Sequence, residues 1–200
     1  MTDAAPQEAG DAELAARVAA GDEVAFQRLA DRHVGRLLRL AQRMLGDADE
    51  ADDVAQEALV RLWLHAGRWR PERSRLATWL HTVVFRLCLD RLRARRSAGP
   101  GGGEEAAAAA AEVAAGDPSL DSVAREEDLR RLEVALAALP ARQRGALALH
   151  YHEELSGREA AEVMGVSVRA FWALLHRARG AAHDLLRRGD DRGAGIGGRR

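Results

Sequence analysis

The chain has no lysine. All 30 of its basic residues are arginine, set against 31 Asp and Glu in 200 residues, for a net charge of −1. Near-neutrality excludes a histone-like polycation. It leaves nucleic-acid binding open, because the distribution of charge matters more than its sum. One cysteine, Cys88, excludes an intrachain disulfide framework and a Cys-rich zinc site. Aromatic residues make up only 4%, and β-branched residues are few, which argues against a sheet. No apolar run approaches the ~20 residues that would cross a bilayer, so no direct membrane insertion is expected. Met1 to Asp11 is acidic and rich in small residues, unlike a signal or transit peptide. What remains is a chain that is 47% hydrophobic with abundant alanine, a helix-forming composition. It reads as all-α and cytoplasmic.

Charge is unevenly distributed along the chain. Residues 1–60 hold 13 acids and 6 arginines, and residues 61–96 hold 2 acids and 10 arginines. Residues 97–128 hold 8 acids and 1 arginine, and residues 129–200 hold 8 acids and 13 arginines. Two basic blocks separated by an acidic stretch suggest two contacts with one polyanion. An ordinary solvated helix surface would account for the weaker second block as well.

Punctuation divides the chain into two small helical domains joined by a flexible linker, the second containing a helix-turn-helix. The first domain covers 12–97, the linker 98–120, the second domain 121–188 and a disordered tail 189–200. The linker opens with Gly99-Pro100-Gly101-Gly102-Gly103, which cannot continue a helix. In the first domain the spacing predicts a helix from Asp11 to Ala20 and a second from an Asp22 cap to Leu45. A third runs from an Asp47 cap and a fourth from Ser74–Thr78 to Arg96. His33 lies on the apolar stripe of the second helix and reads as a core histidine; Cys88 reads as core too. In the second domain a helix is expected from Leu120 to Ala138, then another with Pro140 at its first position, ending near His152. Ser156 and Glu159 form a capping box, and Gly165 makes the turn. Ser167 caps a last helix with Val168, Phe171, Leu175 and Ala178 facing inward. Helix, short glycine turn, helix is the pattern of a helix-turn-helix. A plain helical hairpin is the less specific alternative.

Two constellations carry function. In the third helix Asp49, Asp52, Asp53, Gln56 and Glu57 are three and four residues apart, opposite Ala51, Val54, Ala58 and Leu62. Such a stripe would dock on a basic surface. Carboxylates on one exposed face cannot wrap a cation, so a metal reading is weaker, although a solvated face would need no partner. From Trp69 to Arg96, arginines are interleaved with Trp69, Trp79 and Phe85. Arginine neutralises phosphate, and aromatic rings stack on bases that have left the duplex. Trp79 could equally be core, and Phe85 reads more readily as core. His150 and His152 point to opposite sides of their helix and make a poor metal pair. There is no phosphate-binding glycine loop, no nucleophile with a paired base and no paired-carboxylate cleft. A non-enzyme without cofactor or metal is expected.

ADDVAQE followed by an aromatic, then TWL and DRLR on one helix, a linker, ALPARQR, and a helix-turn-helix ending LLHRAR occur in that order. Together they resemble a sigma subunit of bacterial RNA polymerase, of the small two-domain extracytoplasmic-function type. The resemblance covers roughly 12–96 and 121–188. It implies that the acidic helix docks on the clamp coiled coil of the largest polymerase subunit through Asp49, Asp52, Asp53, Gln56 and Glu57. It implies that Arg73, Arg75, Thr78, Trp79 and Arg86 serve the minus-ten element, with Arg91, Arg93, Arg95 and Arg96 along upstream duplex. It implies that the last helix reads the minus-thirty-five element through Ser167, Arg169, Ala170, Trp172, Ala173 and His176, while Arg177 and Arg179 grip phosphate. Core RNA polymerase (clamp coiled coil and flap), promoter DNA and an anti-sigma factor are the implied partners.

The sequence departs from the family pattern at three places. Leu76 stands where an aromatic is usual, Arg86 where asparagine is frequent, and Trp172 where a charged or small polar residue is usual. Tryptophan has one donor and no bidentate base code. A stand-alone helix-turn-helix regulator would use only the second domain and leave the first unexplained. A sigma-like interaction module would bind polymerase or an anti-sigma factor without firing promoters.

Overall fold

The computed structural model describes residues 10–97 and 130–194, with side chains through 188. The expected linker, and the start of the helix that follows it, lie outside the described residues. Every regular element among the described residues is helical.

Local chemistry sets the boundaries. α1 (Asp11–Ala19) ends at a turn containing Gly21, whose φ of 87° favours glycine. α2 (Glu23–Leu45) starts where the Asp22 carboxylate accepts from the Ala25 amide at 3.0 Å. That bond and the adjacent Arg17 guanidinium hold the Asp22 carboxyl below the usual carboxylate range. Gly46, at φ 68°, closes α2, and Asp47 caps α3 (Ala48–His65) by accepting from the Glu50 amide at 2.9 Å. A 3-10 turn (Ala66–Arg68) and a loop lead to α4 (Leu76–Ser97). α5 is described over 130–137. α6 (Ala141–Leu147) widens into a π turn over Ala148–His152; α7 (Gly157–Met164) and α8 (Val168–Ala194) follow.

The stripe of α2 buries Leu29, Leu37, Leu40, Ala41 and Met44 against α3 and α4, and Phe26 meets Trp63 of α3 edge to face at 5.3 Å. His33 is buried and its Nε2–H donates to Asp11 at 2.9 Å. Cys88 is fully buried, which pushes its thiol up to about 12. Phe85 is also core, buried to 1% exposure. In the second domain Ala160, Ala161, Val163 and Met164 of α7 pack with Phe171, Leu175 and Ala178 of α8.

Three expectations need correction. Pro140 precedes α6 as its N-cap, with ψ 137°, and does not occupy the first helical position. Val168 is 43% exposed: it opens α8 ahead of the turn that packs on α7. The tail placed from Gly189 is helical to Ala194. Gly180 and Gly189 lie inside α8, each costing about 1 kcal/mol relative to alanine, which does not stop a long helix.

The two domains pack on each other. α6 and its π turn rest on α2 and α4, and α7 lies across α4. One continuous core runs from Leu14 to Ala178.

Candidate nucleic-acid interface

The third helix presents the expected acidic face. Asp49, Asp52, Asp53 and Gln56 are exposed and Glu57 is half-buried, opposite buried Ala51, Val54, Ala55, Ala58 and Leu62. Neighbours tether part of this stripe. Gln56 donates to Asp52, Arg61 bridges Glu57 at 2.6 Å, and Arg91 of α4 reaches Asp53 at 3.2 Å. Sequence reasoning missed the continuation of the stripe. Val60 and Leu64, seven and eleven residues beyond Asp53, are 54% and 64% exposed. The four-residue step from Gln56 to Val60 to Leu64 was the available signal.

The loop from Trp69 to Arg75 projects from an anchored base. Trp69 is buried to 9% exposure, and its indole N–H donates to the Ser74 carbonyl at 3.2 Å. Arg70 ties back to the Gly67 carbonyl at 2.8 Å. Arg73 and Arg75 stand out from this base, Arg75 with its guanidinium 3.6 Å from Glu159. Along α4, Trp79 is half-buried against the core, and Arg86, Arg93 and Arg96 are exposed. Three of the expected DNA residues, Thr78, Arg91 and Arg95, are engaged within the domain. Thr78 is buried to 2% exposure. Arg95 is committed to the start of α3, bridging Glu50 at 2.8 Å and donating to the Leu45 carbonyl at 3.2 Å. Arg91 and Arg95 therefore clamp α4 to the acidic helix, an arrangement that charge counting along the chain could not pair up. Leu76, the unusual residue, is buried core.

The second domain contains a helix-turn-helix. Ser156 accepts from the Glu159 amide while Glu159 accepts from the Ser156 amide, closing both halves of the capping box. The bonds from Ser156 hold the Glu159 carboxyl below its ordinary range. Gly165, at φ 64°, makes the turn, and the Ser167 hydroxyl accepts from the Ala170 amide at 3.2 Å to start α8. Ser167, Arg169, Ala170, Trp172, Ala173 and His176 are exposed along one side. Trp172 is 46% exposed, and its indole leans back over Gly157 and stands edge to face with His150 at 5.3 Å. Arg177 and Arg179 are exposed one turn on, Arg177 donating to the Ala173 carbonyl of its own helix. His176 and Arg179 also border a groove of about 750 Å³ lined by Leu132 and Leu136 of α5.

Comparison with known proteins fits this architecture. Residues 29–98 match the model of sigma-70 region 2, and residues 129–181 match the model of sigma-70, region 4. The ECF RNA polymerase sigma factor SigW of Bacillus subtilis is 30% identical over 86% of this chain and 94% of its own length. SigM of Mycobacterium tuberculosis, another ECF sigma factor, is 34% identical over 90% of this chain and 86% of its own. Among solved structures, CnrH in complex with the cytosolic domain of CnrY superposes with a TM-score of 0.65 at 27% identity, covering 88% of this chain and 96% of CnrH. The acidic helix, arginine-bearing α4 and helix-turn-helix thus fall within two family segments in their proper order, and the chain belongs to the ECF family of RNA polymerase sigma factors.

Proposed function

We propose that this chain is a promoter-specificity subunit that docks on core RNA polymerase through α3 and contacts promoter DNA through both domains. The observation that carries the reading is the division of surfaces: a self-contained acidic face on one domain, and an exposed arginine-bearing helix-turn-helix on the other. Asp49, Asp52, Asp53, Gln56 and Glu57, extended by exposed Val60 and Leu64, make the docking face. Their charges suit a basic coiled coil, and the two apolar side chains add contact area at one end. Arg73, Arg75 and Trp79, with Arg86, Arg93 and Arg96 along α4, serve the minus-ten region. Thr78, Arg91 and Arg95 support that surface from beneath. Ser167, Arg169, Ala170, Trp172, Ala173 and His176 form the face presented to the minus-thirty-five element, and Arg177 and Arg179 supply phosphate contacts.

The work is binding and strand separation; the chain supplies no catalytic step, and transcription chemistry belongs to the polymerase. No helix among the described residues is long and apolar enough to cross a membrane, which fits a cytoplasmic partner of polymerase. The CnrH structure holds a partner polypeptide, and a regulatory partner of anti-sigma type is proposed for this chain by the same likeness. Titration of the purified chain against core polymerase tests the reading. Saturable 1:1 binding, weakened by reversing Asp52 and Asp53 to arginine, is expected. A chain that binds duplex DNA tightly and sequence-specifically but ignores core polymerase would instead be a stand-alone regulator.

A further inference from the structure

The exposed row of α8 is short of polar groups. Between Arg169 and His176 it holds Ala170, Trp172 and Ala173, none of which carries the paired donor and acceptor that matches a base edge. The two alanines let the helix approach the floor of a groove, and beside them stands the largest side chain of the row. An apolar face can still read sequence. Thymine projects a 5-methyl group into the major groove, and the other three bases do not.

The Trp172 indole is held from three sides. Beneath it is Gly157, the first residue of α7, where a Cβ would lie 2.4 Å from Cζ2, 2.7 Å from Cε2 and 3.0 Å from Nε1. Only glycine lets the ring lie that close to the backbone. The single N–H of the ring is on this covered edge, so the edge away from Gly157 is hydrocarbon. Buried Phe171 meets the indole edge to face at 5.5 Å, and His150 meets it at 5.3 Å with the planes 83° apart. His150 is fixed in turn. It stands in the π turn after α6, and its Nδ1–H donates to the Leu155 carbonyl at 3.0 Å. The indole is nonetheless 46% exposed. A ring that only filled core would be covered, and a ring that was only solvated surface would not need a glycine beneath it and aromatic edges beside it. A large side chain with its torsions already fixed loses little freedom when it binds.

We propose that Trp172 is a specificity-determining residue that takes the 5-methyl group of one thymine in the upstream promoter element, and that His150 is its positioning residue. The proposal rests on the reading of α8 as the helix presented to the minus-thirty-five element. Readout is then divided along one row. Arg169 supplies the paired N–H groups that suit a guanine, and Trp172 supplies an apolar contact that ignores donors and acceptors and senses the methyl.

Uracil in place of thymine deletes that methyl and leaves base pairing and the groove's donors and acceptors unchanged. Core polymerase reconstituted with the full chain, on a labelled promoter recovered from a randomised library, tests the contact. Deoxyuridine replaces each thymidine of the upstream element in turn, on either strand, and the dissociation constant is read by fluorescence anisotropy. One replacement should weaken binding about fourfold, or ~0.8 kcal/mol at 1.4 kcal/mol per tenfold, the worth of one buried methyl. In Trp172→Ala the penalty at that position should vanish, which is the coupling a direct contact requires. His150→Ala should reduce the penalty to below about twofold, and His150→Phe, which keeps an aromatic edge beside the indole, should restore it. All variants are compared below their thermal transitions with matched helical circular dichroism, so a loss of fold does not mimic a loss of contact.

The same penalty with Trp172 and with alanine, or no penalty at any thymine, would overturn the contact. So would a Trp172→Ala variant that binds thymine and uracil templates with equal losses, the mark of a ring resting on sugar and phosphate. A His150→Ala penalty equal to the parent's would remove its positioning role. Failure of the underlying reading looks different. Holoenzyme that prefers no upstream sequence at all would remove the minus-thirty-five assignment together with the contact, whereas a clear upstream preference that ignores every methyl would remove the Trp172 contact and leave that assignment standing.

Discussion

The indole of Trp172 covers Gly157 so closely that an added Cβ would meet ring atoms at 2.4 Å, yet the residue is 46% exposed. From the sequence, Trp172 could be placed on the DNA-facing stripe with Arg169 and His176, or folded back as core. Both are partly true because the residue opposite is glycine, and a one-letter pattern on α8 says nothing about what α7 places beneath it. Trp172→Ala should therefore cost about 1–2 kcal/mol, below the roughly 3–5 kcal/mol of a fully buried aromatic. Gly157→Ala should destabilise by displacing the ring, and should be nearly neutral once Trp172 is alanine. Denaturant melts of the four variants check this: additive losses would show that the two residues do not touch in solution. His33 gives a second test at this scale. Burial outweighs the attraction of Asp11 and lowers its basicity below the ordinary 6.5. With the folded value depressed, the unfolded chain protonates first. Stability should be complete above about pH 6.5 and decline as pH falls below it. A thermal midpoint of the first domain that holds constant from pH 7.5 to 5.5 would contradict that placement.

At the scale of elements, α3 shows how far periodicity carries. Its N-cap, its buried face and its acidic face were all legible because each depends on residues within a few turns of one another. Its ties to Arg91 and Arg95 were not, since these bring together residues 38 and 45 positions apart. Nor did the arginine-rich run of α4 reveal which guanidinium faces solvent and which clamps a neighbouring helix. Reversal of Asp52 and Asp53 to arginine should weaken binding to core polymerase by tenfold or more, on the order of 1.4 kcal/mol. The fold should lose little, because exposed ion pairs contribute only about 0–1 kcal/mol. Val60→Ser with Leu64→Ser should weaken docking with no drop in thermal midpoint, since both side chains are exposed. Isothermal titration and a melt of each variant separate docking from folding; a fall in midpoint without a change in affinity would remove those residues from the interface.

For the whole molecule, two helical domains and their order were readable from glycine and proline punctuation and from charge blocks. Their mutual packing was hidden: the Arg144–Met44 bond spans 100 residues, and nothing in either domain's pattern marks Gly145 as a socket for Phe85. Packing between separately patterned domains is set by shape, which binary patterning does not encode. The central claim is that both domains work together as a specificity subunit. It is tested most directly by runoff transcription with core polymerase reconstituted with this chain on a library of randomised promoters. The expected result is a recovered promoter set with two conserved elements at fixed spacing, and loss of the upstream preference when Arg169 is replaced by alanine. Transcripts that start without sequence preference, or none above core polymerase by itself, would contradict it.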